Sequence, residues 1–319
     1  LAIINLESSI IDLSKWLGWW DRGYTELYDY SQFLHPRLVP HDLTIPQDLK
    51  PIFTSTQVLT NNTDLEQSQT VTFSETTSTS VTSTTTDGVQ VGSKVSDTLT
   101  EKVNVSFPFI GSGGAENSTT VEVSAQYNWS NSKSYTNTET KQWQVSQPVK
   151  VPSRKQVVAT LIIMGGTFYV PMDIMLNIIA DESISSPYGG ADGPNNIAHM
   201  GTNPPGYAQY VRTNQLANAN WPEKPPQFMG LDSDGSLKFK GATDTQIGTG
   251  IYATVKFDQY DLGNLRTIEK TWYAPTITDY NGKNININHI ISKPQLAFIN
   301  PQHERLLSEH FNSQCDSQM

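Results

Sequence analysis

Two stretches of this chain place a polar residue at every second position for so long that no compact fold can absorb them as ordinary strands. From Thr70 to Thr86 every even position is a hydroxyl: Thr70, Thr72, Ser74, Thr76, Ser78, Ser80, Thr82, Thr84 and Thr86. From Ser118 to Ser146 every even position is polar, and the odd ones include Val121, Val123, Ala125, Tyr127, Trp129, Tyr135, Trp143 and Val145. Side chains of a strand point alternately to its two faces, so a strict period of two is a strand signal. Neither run contains Pro or Gly. At about 3.3 Å per residue the second run alone would extend roughly 95 Å, whereas common strands have about 5–6 residues. The expected shape is a rod, mostly β, built of long antiparallel strands with a small helical and loop-rich head at its N-terminus.

Composition supports order over disorder. Ser and Thr make up 36 of the 93 residues from Thr54 to Ser146, and only 16% of the chain is charged, a balance also met in unfolded segments. Aromatic residues nevertheless reach 10%, and threonine is itself β-branched and favours strands. The formal net charge of −10 argues against a nucleic-acid partner, which needs a basic face. A single cysteine, Cys315, allows neither an internal disulfide nor a cysteine cluster for metal. Glu7, Asp12 and Lys15 interrupt the first apolar stretch, so it does not read as a signal peptide. Ile3, Leu6, Ile10, Leu13, Trp16 and Leu17 predict a short amphipathic helix there. Nothing approaches 18 consecutive apolar residues, so any crossing of a membrane must use strands.

Punctuation by Pro and Gly divides the chain. Residues 1–50 and 172–245 read as a discontinuous head, the second part carrying Pro187-Tyr188-Gly189-Gly190 and Pro204-Pro205-Gly206 in a loop-rich segment. Residues 51–88, 108–171 and 246–275 read as a long-strand body. There Val157 to Met164 is an apolar strand stopped by Gly165-Gly166, and Ile251, Ala253, Val255 and Phe257 share one face of a later strand. Leu265 to Tyr273 is its expected partner. Residues 276–319 form a weakly patterned tail, expected to be loosely held from Asn281 onward.

Between the two long runs, residues 89–107 alternate on their own terms. Odd positions are mainly apolar (Val89, Val91, Val95, Leu99, Val103, Val105, Phe107) and even positions polar. With a turn near Asp97–Thr100, each arm has about 9–10 residues, the length of a tilted strand that crosses a bilayer. One such hairpin leaves open edges that lipid does not tolerate, so only several copies together could close a barrel. A hairpin packed by its valine face on a soluble core has the same periodicity. The long Ser/Thr strands on either side suit the wall of a water-filled barrel.

Phe107-Pro-Phe-Ile-Gly, Ser118-Thr-Thr-Val-Glu-Val-Ser and Gln147-Pro-Val-Lys-Val-Pro-Ser-Arg-Lys155 resemble the core of the aerolysin-type β-pore-forming toxins. The order of elements matches as well: Ser/Thr strand, amphipathic hairpin, Ser/Thr strand, the Val-Pro-Ser-Arg-Lys corner, apolar strand. Further stretches are similar to the epsilon-toxin and mosquitocidal-toxin branch, and in particular to small parasporal crystal proteins of Bacillus thuringiensis. These are Arg37-Leu-Val-Pro-His-Asp-Leu-Thr-Ile-Pro, Gln57-Val-Leu-Thr-Asn-Asn-Thr-Asp, Lys256-Phe-Asp-Gln-Tyr-Asp and Asn264-Leu-Arg-Thr-Ile-Glu-Lys-Thr-Trp-Tyr. The resemblance covers residues 35–175 and 250–275 and fades over 181–245 and the tail.

The resemblance implies a protoxin released from a parasporal crystal and trimmed by proteases, with no enzymatic activity. It would bind a cell-surface receptor, protein or glycan, and form a homo-oligomer that inserts a β-barrel pore into the target membrane. By position, Val89, Val91, Val95, Val103, Val105 and Phe107 would face lipid, and Gln90, Lys94, Lys102, Asn104 and Ser106 the lumen. Lys94 and Lys102 would tilt such a lumen toward anions. Asp97 and Glu101 share the apolar parity and fit only at or beyond the tip, because a charge at the midplane costs several kcal/mol. The alternative is a non-toxic crystal or carbohydrate-binding protein of the same fold.

Trp19, Trp20, Tyr24, Tyr28 and Tyr30 are either a receptor platform or the packing of the helix end. Lys270, Lys283, Lys293 and Arg305 are candidate cleavage points for a tail that blocks oligomerisation in similar protoxins, or else mark an inert tail. Asp232-Ser-Asp-Gly235 lacks the later ligands of a calcium loop and reads as a turn. The six histidines have no metal-ligand spacing, and no nucleophile elbow, P-loop or dinucleotide fingerprint is present. No catalytic, cofactor or metal site is expected.

Overall fold

Three strands set the length of the molecule. The computed structural model describes residues 2–18, 31–41, 49–90, 98–110, 116–180, 196–200 and 209–286. In chain order these form β1 (Ala2–Asn5), α1 (Leu6–Trp16), β2 (Ser31–Pro40), β3 (Lys50–Asn61), β4 (Gln67–Gln90), β5 (Thr98–Ile110), β6 (Glu116–Asn128), β7 (Ser134–Val151) and β8 (Lys155–Ala180). There follow β9 (Asn196–Met200), β10 (Gln209–Arg212), α2 (Thr213–Asn218), β11 (Phe228–Leu231), β12 (Leu237–Asp261), β13 (Asn264–Tyr273), β14 (Thr276–Asp279) and β15 (Asn284–Asn286). β4, β8 and β12 have 24, 26 and 25 residues. At about 3.3 Å per residue each spans roughly 80 Å, as expected for an elongated, mostly β molecule.

β8 and β12 are the spine, antiparallel from Leu237↔Ile178 to Asp261↔Lys155. β2 and β3 share the far edge of β8, one above the other. On the other side β12 carries β4 through Ala242–Gly248 and β13 through Lys256–Asp261. β7 flanks β4 from Gln67↔Val151 to Thr84↔Ser134. Below Ser80 the backbone pairing of β4 with β12 ends, and the inner face of the β4–β7 ribbon packs on β8 and β12 as a second layer. Val71, Phe73, Trp143 and Val145 there meet Val157, Leu161, Ile163, Val255 and Phe257.

The layers part at a cluster of glycines. A Cβ added to Gly165 would sit 2.2 Å from the Thr249 carbonyl oxygen, and one on Gly250 2.9 Å from both Ile163 Cγ2 and Trp143 Cζ2. The β8–β12 register slips between Gly250 and Tyr252. Gly165-Gly166 therefore does not stop the apolar strand, as the sequence suggested. It gives the close backbone approach and bulge that let β8 run on to Ala180.

The second alternating run is likewise two strands rather than one. Asn128 Oδ1 accepts from Ser130 N (2.8 Å), Ser130 Oγ (2.9 Å) and Asn131 N (3.0 Å), and Asn131 Oδ1 accepts from Lys133 N (3.0 Å). These side chains mimic backbone turns and reverse the chain without Gly or Pro.

A second apolar core surrounds the upper spine. It joins Phe168, Val170, Met172 and Ile174 of β8 to α1 and to α2 with its neighbours Trp221 and Phe228. α1 buries Leu6, Ile10 and Leu13, and Asn5 caps it by accepting from Ser8 N (2.9 Å). Trp16, read as part of that stripe, is 49% exposed. Ile251, Ala253, Val255 and Phe257 share the buried face, and β13 pairs with β12, both as expected. β8 crosses position 171/172 and β12 position 245/246 as continuous strands, so head and body share their spine. Residues 281–286, expected to be loosely held, instead close a turn and form β15 on β14.

Candidate functional site

Among the described residues, β5 and β6 are not part of the main sheet. They pair only with each other, from Thr98↔Asn128 to Ile110↔Glu116, as a two-stranded sheet of their own. The hairpin between the long strands therefore joins its arms through residues 111–115, not near 97–100. The alternation seen in the sequence sorts its faces. Val103, Val105 and Phe107 of β5 and Thr119, Val121, Val123, Ala125 and Tyr127 of β6 are buried. Lys102, Asn104, Ser106, Thr120 and Glu122 are exposed on the other face. Opposite partners such as Val103↔Val123 and Val105↔Val121 put two apolar rows side by side.

Side-chain contacts and one backbone bond at the root, rather than a ladder to the main sheet, hold this hairpin down. Its apolar face covers the upper core, where Phe107 meets Phe168 edge to face at 4.5 Å. At its open end, the root, Thr85 Oγ1 donates to Asn128 O (2.5 Å) and Val89 N to Trp129 O (2.7 Å). Leu38 N donates to Glu101 Oε2 (2.5 Å), tying the root to β2 just past a bulge where His35 takes φ 50°. Burial pushes the Glu101 carboxyl above the ordinary range, against the Leu38 N–H and the Arg37 charge, which pull it down. Along β6 the β14–β15 turn forms a second fastening. Asn281 Nδ2 donates to Thr120 O (2.9 Å), and Thr119 Oγ1 to Asp279 Oδ2 (3.5 Å). Tyr280 anchors that turn edge to face against Trp143 (6.1 Å), with the Lys141 ammonium 4.5 Å from its ring centre.

The residues singled out from sequence fare differently. Val103, Val105 and Phe107 come together on the buried face, and Lys102, Asn104 and Ser106 on the exposed one. Val89 is fully buried at the end of β4 and pairs with Ile4, while Gln90 beside it is exposed. Val91, Lys94, Val95 and Asp97 lie outside the described residues. Glu101 sits at the root, not at the tip. Lys102 Nζ meets Glu122 Oε1 at 2.7 Å, so that lysine is no free positive charge. Trp19, Trp20, Tyr24, Tyr28, Tyr30, Lys293 and Arg305 lie outside the described residues. Lys270 is exposed on β13, its ammonium 5.3 Å from the Trp272 ring centre, and Lys283 is exposed at the turn that fastens β6. Sequence reasoning assigned Val121, Val123, Ala125 and Tyr127 to a long wall strand. The nearby Gly111–Gly114 corner was the signal that could have made them the second arm.

Comparison with known proteins places this architecture. The model of the family described as Clostridium epsilon toxin ETX/Bacillus mosquitocidal toxin MTX2 matches residues 11–271. The chain is similar to the pesticidal crystal protein Cry15Aa of Bacillus thuringiensis subsp. thompsoni, 28% identical over 254 residues, covering 78% of this chain and 69% of that protein. Its fold is similar to that in the binary complex of Cry23Aa1 and Cry37Aa1 (TM-score 0.53, 22% identity, 90% of this chain and 99% of that one). It is also similar to a non-toxic crystal protein from Bacillus thuringiensis (TM-score 0.56, 17% identity, 82% and 98%).

Proposed function

The chain belongs to the Clostridium epsilon toxin ETX/Bacillus mosquitocidal toxin MTX2 family, and from that premise we propose that it is a pore-forming crystal protoxin whose β5–β6 hairpin becomes the membrane-crossing part of a β-barrel. One observation carries the reading: a two-faced hairpin of two 13-residue strands, outside the main sheet, held by an apolar face that lipid could equally cover. In the barrel, Val103, Val105, Phe107, Val121, Val123 and Ala125 face lipid. Lys102, Asn104, Ser106, Thr120, Glu122 and Ser124 line the water-filled lumen. β4 and β7, with their hydroxyl rows, continue the wall outside the bilayer. Hairpins from several copies close the edges that one copy leaves open.

The preceding steps belong to the same proposal. The protein is stored in a parasporal crystal, and proteolysis near the tail, with Lys283 the exposed site beside the hairpin, loosens the turn on β6. A receptor engaged by the head, residues 1–50 and 172–245, concentrates copies at the surface. A second reading, a non-toxic crystal protein, is favoured by the fold shared with one such protein.

Dye release from vesicles by protease-treated protein, with oligomers that survive SDS, separates the two readings. A disulfide between cysteines introduced at Thr119 and Asn281, whose side chains meet at 3.4 Å, should block release until reduced. Persistent monomer without release on any membrane tested would favour the storage protein. Release unaffected by the tether would place the inserting segment elsewhere.

A further inference from the structure

The root of the hairpin contains polar groups that find no partner among the described residues. Tyr127 is fully buried and Trp129 is 4% exposed, yet the Tyr127 hydroxyl and the Trp129 indole N–H have no hydrogen-bond partner among the described residues. Their rings are neighbours (centroids 6.2 Å apart) and Phe33 of β2 lies edge on to Trp129 (5.2 Å), so aromatic faces flank both groups. An unpaired buried donor costs what its lost hydration was worth. The half-buried Glu101 carboxylate lies one rung further in, opposite Ala125.

Glu101 and Tyr127 share the face that would meet lipid, Trp129 follows one residue past the end of β6 with the same parity, and their height on the hairpin is informative. From Glu101 to Ile110, β5 has ten residues. At about 3.3 Å per residue and a tilt near 40° they rise roughly 25 Å, the height of the apolar band of a membrane barrel. With residues 111–115 in the far water, Glu101, Tyr127 and Trp129 then fall where the strands enter the bilayer on the near side. At that level an aromatic ring rests on acyl chains while its O–H or N–H reaches headgroups and water. A carboxylate costs little there.

We propose, resting on the pore reading above, that Tyr127 and Trp129 form the near-side aromatic collar of the inserted hairpin and bind the headgroup region of the bilayer. The same two side chains make the docked seat poorer than its apolar area suggests. Tyr127→Phe, which removes the orphaned hydroxyl and keeps the ring, should raise the thermal midpoint of the soluble protein by about 2–4 °C. A lowered midpoint would mean that the hydroxyl is satisfied in the docked state and would overturn the proposal.

The membrane side is read with intrinsic fluorescence. Protease-activated protein is added to phosphatidylcholine vesicles brominated either near the headgroup or deep in the chain. Shallow bromines should quench the wild type more than Trp129→Phe, and deep bromines should quench the two alike. Equal quenching of both proteins by shallow bromines, with release still blocked by the 119–281 tether, would overturn the collar and leave the hairpin as the inserting segment. Release that ignores the tether would remove the hairpin reading itself.

Discussion

Two antiparallel ribbons come from the same Ser/Thr-rich stretch and end in opposite circumstances. The β4–β7 ribbon and the β5–β6 hairpin both alternate, both bury one apolar row, and both show hydroxyls to water. In β4–β7 the buried polar groups are paired. Trp143 Nε1 donates to Thr77 Oγ1 (2.9 Å), Thr79 and Thr249 hydroxyls meet at 2.9 Å, and Gln147 Nε2 donates to Thr276 Oγ1 (2.9 Å). Its outer strand edge is also covered in places, as where Gln57 Nε2 donates to Thr72 O (2.7 Å). At the root of β5–β6, by contrast, an indole N–H and a phenol have no partner among the described residues, and a partly desolvated carboxylate lies beside them. The alternating pattern gives a ribbon; whether it stays put is decided by how its inner face is satisfied.

The largest effect separates the two ribbons by mutation. Trp143→Ala removes a fully buried ring from the fixed layer and should cost about 3–5 kcal/mol of global stability, measured by denaturant unfolding. Phe107→Ala removes a ring just as buried, but from a hairpin that the proposal has undock while the sheet stays folded. Its global midpoint should fall less, while hydrogen exchange rises across 98–128 and stays slow in β8 and β12. Equal losses, with no local exchange, would show hairpin and spine to be one cooperative unit.

A smaller effect comes from Glu101. Its pKa is raised in the docked state, so protonation favours docking. That contribution is full below the ordinary glutamate value and is lost as pH rises through the higher docked value. Glu101→Gln keeps an oxygen for Leu38 N–H and carries no charge. The variant should gain stability over the wild type as pH rises through this window, and the two should converge in acid. A wild type that instead becomes the more stable of the two as pH rises would reverse the sign and make the ionised carboxylate the clasp.

Much of this comparison was present in the sequence as a period of two. That pattern placed Val103, Val105 and Phe107 on one face and Lys102, Asn104 and Ser106 on the other, because strand geometry alone decides face. It could not supply pairing. The partner of β5 depends on which turn closes, and both 97–100 and the glycines at 111–114 allowed one. The break after Asn128 stayed hidden because Asn and Ser side chains, not Gly or Pro, reverse the chain there. Gly165-Gly166 looked like an end because the glycine across from it at the bulge, Gly250, lies far off in sequence. Tyr127 and Trp129 looked like ordinary inward residues; only the packed structure shows their polar atoms unmatched.

The smallest effect tests the outer face of the hairpin. Lys102 and Glu122 are both well exposed, 69% and 54%, and lie on neighbouring rungs. An ion pair so open to water adds little to the monomer, so Lys102→Gln and Glu122→Gln should each move its thermal midpoint by less than about 1 °C. In a lumen the same pair has a different consequence. Every subunit repeats it, so the wild-type ring carries matched charges and little selectivity at that level, and the bias toward anions expected from Lys102 alone is cancelled. Lys102→Gln leaves a ring of carboxylates and should move the reversal potential toward cation preference. Glu122→Gln leaves a ring of ammonium groups and should move it toward anions. Opposite shifts from two variants with unchanged stability would place this face on the water side of the pore, whereas two variants with wild-type selectivity would place it outside the conducting path.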